Sequence, residues 1–184
     1  MEVRDTALAG VKIIRPRKFG DHRGFFSEVY NEATWREAGL SYRFVQDNHS
    51  RSAAAGTIRG LHFQIAPHAQ AKLVRVARGR VLDVAVDLRR SSPTFGRHVA
   101  VELSVENWAQ LLIPIGFAHG FCTLSEDAEV LYKVSDIYSP AHDRGVAWDD
   151  PDLAIAWPAR GERAVLSDKD RNWPRFATLA ETFA

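Results

Sequence analysis

Short runs of strict apolar–polar alternation recur along the chain, each closed off by turn residues. Leu82, Val84, Val86 and Leu88 alternate with Asp83, Ala85 and Asp87, and Val99, Val101, Leu103 and Val105 with Ala100, Glu102 and Ser104. Val130, Tyr132 and Val134 alternate with Leu131, Lys133 and Ser135. Successive side chains of a strand point to opposite faces, so a period of two marks strands whose faces meet different surroundings. The separators are turn-like: Arg78-Gly79, Ser91-Ser92-Pro93, Glu106-Asn107, Pro114-Ile-Gly116 and Ser125-Glu-Asp127. Only Glu32 to Ala38, ended by Gly39, reads as a helix, with a second short one expected near Thr178 to Glu181. Evenly spaced short strands with little helix predict an all-β chain, a sandwich or barrel of the jelly-roll kind.

The length of 184 residues suits one domain, 1–184, with a sizeable buried core. Lys and Arg number 24 against 23 Asp and Glu, a net charge of +1 that leaves no broad footprint for nucleic acid or a membrane surface. No apolar run approaches the length needed to span a bilayer, and the charged start Met1-Glu-Val-Arg-Asp is unlike a signal peptide. The lone Cys122 has no intrachain partner, which fits a reducing cytoplasm, and its apolar setting suits a small buried hydrophobe better than a nucleophile.

Alternation also says which polar groups share a cavity. His62 and Gln64 point away from Leu61, Phe63 and Ile65, and Gln46 and Asn48 share a face. Lys72 shares one with Val74 and Val76, and Tyr132 with Val130 and Val134. Polar groups on apolar, inward-looking faces are costly unless satisfied, and several converging would build a ligand pocket in the mouth of a barrel. A histidine titrating near neutrality suits a proton acceptor, although a hydrogen-bonded core role is the commoner fate of such a residue. Tyr132 as a packed barrel tyrosine, Lys72 as a surface lysine and His119 as a turn histidine are the corresponding structural roles. Metal-binding cupins need two alternate histidines and a carboxylate, but two positions after His62 stands Gln64, and His49, His62 and His68 are scattered. No metal and no other cofactor is expected.

An ordered set of stretches gives the chain a family. They are Asp21-His-Arg-Gly-Phe25, Gln46-Asp-Asn-His-Ser50, Ile58-Arg-Gly-Leu-His-Phe-Gln64, Gln70-Ala-Lys-Leu-Val74 and Gly79-Arg-Val-Leu-Asp-Val-Ala-Val-Asp87. They continue with Ser91-Ser-Pro-Thr-Phe-Gly96, Pro114-Ile-Gly-Phe-Ala-His-Gly-Phe121, Leu131-Tyr-Lys133, Ala147-Trp-Asp-Asp-Pro151 and Leu166-Ser-Asp-Lys-Asp170. From about Gly10 to Pro174 the chain resembles the dTDP-4-dehydrorhamnose 3,5-epimerase family. The resemblance implies a cupin-type jelly roll and a homodimer with exchanged N-terminal strands. It also implies inversion of carbons 3 and 5 of dTDP-4-keto-6-deoxyglucose to give dTDP-4-keto-L-rhamnose, without a cofactor.

The resemblance assigns roles residue by residue. His62 would be the proton acceptor, with Asp170 rather than the nearby Asp168 holding its ring. Tyr132 would be the acid, and Lys72 would stabilise the enolate beside the ketone. His119 would contact the substrate. Apart from the resemblance, the place of Asp83 on the polar face of its strand suits it to orient one of the histidines. Arg23 and Arg59 would meet the diphosphate, a task for which the planar guanidinium fork is suited. Glu28, Gln46, Asn48 and Lys169 match other binding positions, and Tyr138 matches the aromatic that stacks on thymine. Asp143 stands where the family commonly has Glu, one methylene shorter. Strand exchange would carry Arg23 and Glu28 to the partner's pocket. Three other readings stay open: an epimerase inverting carbon 3 alone or acting on another nucleotide sugar, a metal-dependent cupin, and a sugar-binding sandwich without catalysis.

Overall fold

The computed structural model describes residues 1–184. In chain order the elements are β1 (Glu2–Asp5), β2 (Lys12–Arg15), β3 (Phe19–Asp21), β4 (Gly24–Phe26), α1 (Glu32–Glu37), β5 (Gln46–Ser52), β6 (Ile58–Gln64) and β7 (Lys72–Arg78). They continue with β8 (Arg80–Asp87), β9 (His98–Ser104), β10 (Gln110–Ile113), β11 (Phe117–Thr123), β12 (Ala128–Val134), β13 (Asp143–Gly145) and α2 (Asp168–Arg171). Six strands form one sheet in the order β1-β2-β10-β7-β12-β5, and five form another in the order β13-β6-β11-β8-β9. The β3–β4 hairpin stands apart as a two-stranded ribbon. The strands pair antiparallel throughout, and the two large sheets stack as a jelly roll, as the alternation predicts, of the cupin type that the family resemblance implies.

Three apolar layers hold the sandwich together. Between the sheets, Val74, Val76, Leu111 and Val130 of the first meet Val81, Ala85, Leu103, Phe117 and Phe121 of the second. The outer face of the five-stranded sheet, with Val84, Val86, Phe63 and Cys122, is covered by Leu153, Ile155 and Trp157 from the C-terminal segment. The outer face of the six-stranded sheet, with Ile14, Leu73 and Leu112, is covered by Trp35 of α1 and by Leu40. Asn31 caps α1 by accepting from the Ala33 and Thr34 amides, which satisfies donors that the first helical turn leaves free. Both faces of β8 are therefore buried, and its more polar face, with Asp83, Ala85 and Asp87, is the one turned towards the sandwich interior.

The expected helix near Thr178 to Glu181 does not form. A 3₁₀ turn spans Phe176–Thr178, and the chain beyond it runs alongside the end of β8. Arg90 N–H donates to the Phe183 carbonyl (2.8 Å), Phe183 N–H donates to Leu88 (3.0 Å), and Arg90 Nε donates to Thr182 Oγ1 (2.6 Å). These long-range hydrogen bonds outweigh the weak propensity of a four-residue helix. A helix not expected from the sequence, α2, forms instead on Ser167, whose hydroxyl accepts from Asp170 N–H (3.1 Å).

One irregularity shapes the site. His119 pairs with His62 across β11 and β6, yet Phe121 pairs with Arg59, a shift of one residue. Arg59 and His62 consequently share the face opposite to Ile58 and Leu61, which strict alternation would forbid. The shift brings the two backbones so close that a Cβ on Gly60, at φ +120°, would lie 2.6 Å from Gly120 Cα and 2.7 Å from the His119 carbonyl oxygen. Backbone cannot yield as a side chain does. Gly60→Ala is expected to cost on the order of 3 kcal/mol. Chemical denaturation would measure that loss, and a cost near zero would show that β6 and β11 can separate freely.

Candidate active site

The polar end of the sandwich interior opens into a cleft of about 330 Å³. Strands from both sheets supply its walls. From the six-stranded sheet come Gln46 and Asn48 on β5, Lys72 on β7 and Tyr132 on β12. From the five-stranded sheet come His62 and Gln64 on β6 and Asp143 on β13, with Tyr138, Gln70 and Lys169 reaching in from loops and α2. The register explains the convergence: Tyr132 sits opposite Asn48 on one side and Val74 on the other, while Val134 sits opposite Gln46 and Lys72.

His62 and Asp170 form a dyad. His62 Nε2 lies 2.5 Å from Asp170 Oδ1, an N–H donating to a carboxylate, which leaves Nδ1 to take a proton. Burial raises the Asp170 pKa, but the His62 imidazole and the Ser167 and Trp173 donors outweigh it and hold the carboxyl below its ordinary value. Asp168 makes no such contact; it is an exposed residue whose carbonyl accepts from Asn172.

A second dyad lies beside the first. His119, buried on β11, meets both oxygens of the fully buried Asp83, at 3.0 and 2.9 Å. Burial pushes the His119 pKa down against the pull of Asp83, with Lys72 and His62 adding to the depression. His119 therefore stays neutral near pH 7, a donor or acceptor rather than a cation.

Lys72 is the buried charge of the cleft. Its Nζ donates to the His62 carbonyl oxygen (3.3 Å), tying β7 of one sheet to β6 of the other. Burial lowers its pKa to about 8, with the Asp143 and Asp83 carboxylates opposing. Tyr132 has a raised pKa, chiefly from burial, with Arg59 opposing and Asp143 and Tyr138 adding to the rise. The phenol thus keeps its proton at neutral pH.

A polar cluster occupies the rim. Asp143 Oδ2 accepts from Tyr138 Oη (3.2 Å) and pairs with Lys169. Burial alone would lower the Lys169 pKa, but the Asp143 carboxylate holds it above its ordinary value. Gln46 Oε1 accepts from Tyr138 N–H (2.8 Å), and Gln46 Nε2 donates to Asn48 Oδ1 (2.9 Å). Gln64 ties down the same loop: it donates to the Ile137 carbonyl (3.1 Å) and accepts from Ser139 N–H (2.8 Å). Gln64 and Gln70 were not among the site residues named from the sequence, although the shared face of His62 and Gln64 pointed to the first. Trp173 was not named either. Only the docking of α2 brings it, three residues after Asp170, to the dyad.

Of the remaining residues, Arg59 donates to Ser52 Oγ and to the Arg51 carbonyl, both at 3.1 Å, beside Tyr132. Arg23 and Glu28 are not brought to this cleft within one chain. Arg23 lies at the exposed tip of the β3–β4 hairpin, paired with Asp21 at 2.6 Å, and Glu28 accepts from Asn31 (3.0 Å). No three His, Cys, Asp or Glu side chains converge as a metal-ligand set, so the geometry lends the metal-dependent reading no support. No helix is long and apolar enough to cross a membrane.

A base held by a carboxylate, a protonated phenol and a buried ammonium around one cleft suit proton transfer next to a carbonyl. Comparison with known proteins agrees. The family model described as dTDP-4-dehydrorhamnose 3,5-epimerase matches residues 5–178. The chain is 53% identical over 183 residues to the dTDP-4-dehydrorhamnose 3,5-epimerase of Sinorhizobium fredii, covering 100% of this chain and 93% of the relative. The Bacillus anthracis enzyme of that name, solved with TDP and PPi bound, superimposes with a TM-score of 0.91 at 52% identity, covering 95% of this chain and 98% of that one. A Legionella pneumophila dTDP-6-deoxy-D-glucose-3,5-epimerase in complex with dTDP-4-keto-L-rhamnose gives a TM-score of 0.92 at 46% identity, covering 97% and 94% of the two chains. With its jelly roll shared by these enzymes over nearly its whole length, the chain belongs to the dTDP-4-dehydrorhamnose 3,5-epimerase family of isomerases.

Proposed function

We propose that this single-domain chain converts dTDP-4-keto-6-deoxyglucose to dTDP-4-keto-L-rhamnose by moving protons at carbons 3 and 5. One observation carries the reading: His62 and Tyr132 stand on different sheets and line the same cleft. A sugar ring lying between the sheets would present one face to each. Both carbons flank the ketone, so loss of a proton to His62 leaves an enolate, and a proton from Tyr132 on the other face inverts the centre. Lys72 would face the enolate oxygen, where a buried ammonium acts with little screening. Asp170 would fix the imidazole and stabilise it once charged. His119, held by Asp83, would donate to the sugar as a neutral group.

The rim would hold the nucleotide. Tyr138, half exposed at the lip, offers a stacking face for thymine, while Lys169 and Arg59 supply charge for the diphosphate. Asp143, Gln46 and Asn48 would fix Tyr138 and hydrogen-bond to the nucleoside. We assign Arg23 and Glu28 to the pocket of a second subunit in a homodimer with exchanged N-terminal strands. In support, β1 is a fully exposed sheet edge, and Phe19, Phe25 and Phe26 on the β3–β4 hairpin are 55%, 55% and 70% exposed. The lone, buried Cys122 suits a cytoplasmic setting.

The test is the stereochemistry of the product. Purified protein given dTDP-4-keto-6-deoxyglucose should yield a sugar inverted at both carbons by NMR. Tyr132→Phe should turn over about 10²-fold more slowly while still binding dTDP. Inversion at carbon 3 alone would replace the double epimerase by a mono-epimerase. No inversion by folded protein that binds dTDP would remove this substrate altogether.

A further inference from the structure

We propose that Trp173 is a positioning residue for the His62–Asp170 dyad: its indole holds the carboxylate against the imidazole and tempers the pull of that carboxylate on the proton. This inference rests on the reading of His62 as the base. Asp170 Oδ1 accepts twice, from His62 Nε2 at 2.5 Å and from Trp173 Nε1 at 3.3 Å. The indole also stands edge-on to the imidazole, with ring centroids 6.0 Å apart and planes at 68°. It touches both members of the dyad, and neither contact needs substrate.

The fold leaves room for it by design of sequence. Gly145 on β13 pairs directly with His62 on β6. A Cβ on Gly145 would lie 2.3 Å from Trp173 Cε2, so the indole fills the space that a side chain beside His62 would otherwise take. Lys169 Nζ sits 5.3 Å from the indole centroid and covers it from the cleft side. Trp173 is thus wedged between backbone and a cation, and Ser167 fixes the one-turn helix that carries Asp170.

The electrostatic consequence has a definite sign. An oxygen shared between two donors pulls less on each. Removing the indole N–H makes Asp170 a stronger acceptor for His62, which stabilises the imidazolium. Trp173→Phe keeps an aromatic ring beside Gly145 and removes the donor together with part of the indole's bulk. The acidic limb of kcat/KM should move up by about half a pH unit, and KM should stay near the wild-type value. A residue that merely packs would lower stability and leave the limb where it was.

The experiment is a pH profile of kcat/KM for wild type and Trp173→Phe, with His62→Ala assayed for solvent-proton exchange alongside. An upward shift of the limb supports the proposal. An unchanged limb, in a Trp173→Phe protein that binds dTDP, overturns it, while loss of exchange in His62→Ala keeps the base reading intact. Full exchange in His62→Ala would mean that the base reading itself has failed. If Trp173→Phe does not fold, the wild type still decides: the Trp173 indole N–H resonance should titrate together with the His62 ring, and a flat indole resonance overturns the proposal.

Discussion

His62→Ala is expected to lower kcat about 10³-fold while the protein still folds and binds dTDP. The imidazole makes its closest contact with Asp170, a side chain from α2 that Ser167 caps and Trp173 also holds, so the local frame outlasts its removal. Tyr138, Lys169, Gln46 and Asn48, the groups assigned to the nucleotide, are anchored to one another and to Asp143 rather than to His62. Turnover and nucleotide affinity should therefore separate in this variant. Steady-state kinetics and calorimetric titration with dTDP check the two halves. A parallel loss of both would show His62 to be part of the nucleotide site.

Lys72→Met is expected to make the protein more stable and nearly inactive. The Lys72 pKa lies at about 8 in the fold against an ordinary 10.5, chiefly because the group is buried. A folded-state pKa below the unfolded one means that the unfolded chain holds the proton more tightly. The charge therefore costs stability at pH values below about 8, and stability recovers as pH rises from there towards 10.5. The depression corresponds to about 3 kcal/mol. Some of that is offset by the hydrogen bond to the His62 carbonyl, which Met loses. A net gain of about 1–2 kcal/mol, a few degrees in Tm, is expected. Activity should fall about 10²–10³-fold, as when a donor to a developing oxyanion is removed. In the wild type, kcat/KM should decline as pH rises through about 8, because the ammonium is lost there while the buried Tyr132 phenol keeps its proton. A Lys72→Met protein that lost stability would make the ammonium a structural tie between the sheets.

Regular strand pairing decides which parts of the site are legible in the sequence. On β5, β7 and β12 the pairing is regular enough that alternation places Gln46, Asn48, Lys72 and Tyr132 on the cleft side. His62 and Gln64 were legible for the same reason, lying beyond the irregular stretch of β6. Arg59 was not, because the one-residue shift opposite Gly120 reverses the alternation between Arg59 and His62. Asp83 stood on a polar strand face, but only the covering of both faces of β8 shows that this face looks into the interior.

Asp170 and Trp173 carry no local pattern that ties them to His62. Asp170 follows it by 108 residues, and the link depends on where α2 docks. The family resemblance supplied Asp170, and nothing in the sequence supplied Trp173. The C-terminal tail shows the opposite error: its four-residue helical signal was real but weak, and hydrogen bonds to Leu88 and Arg90 replaced it. Arg23 and Glu28 lie away from the cleft of their own chain, held by Asp21 and Asn31, so the single-chain geometry does not place them in it.

The most direct test of the account follows the ring protons of dTDP-4-keto-6-deoxyglucose by NMR in deuterated water, with wild type and His62→Ala side by side. The proposed function predicts deuterium at carbons 3 and 5 with the wild type and at neither carbon with a folded, dTDP-binding His62→Ala protein. Undiminished exchange at either carbon in His62→Ala would contradict it, because some other group would then be taking the proton.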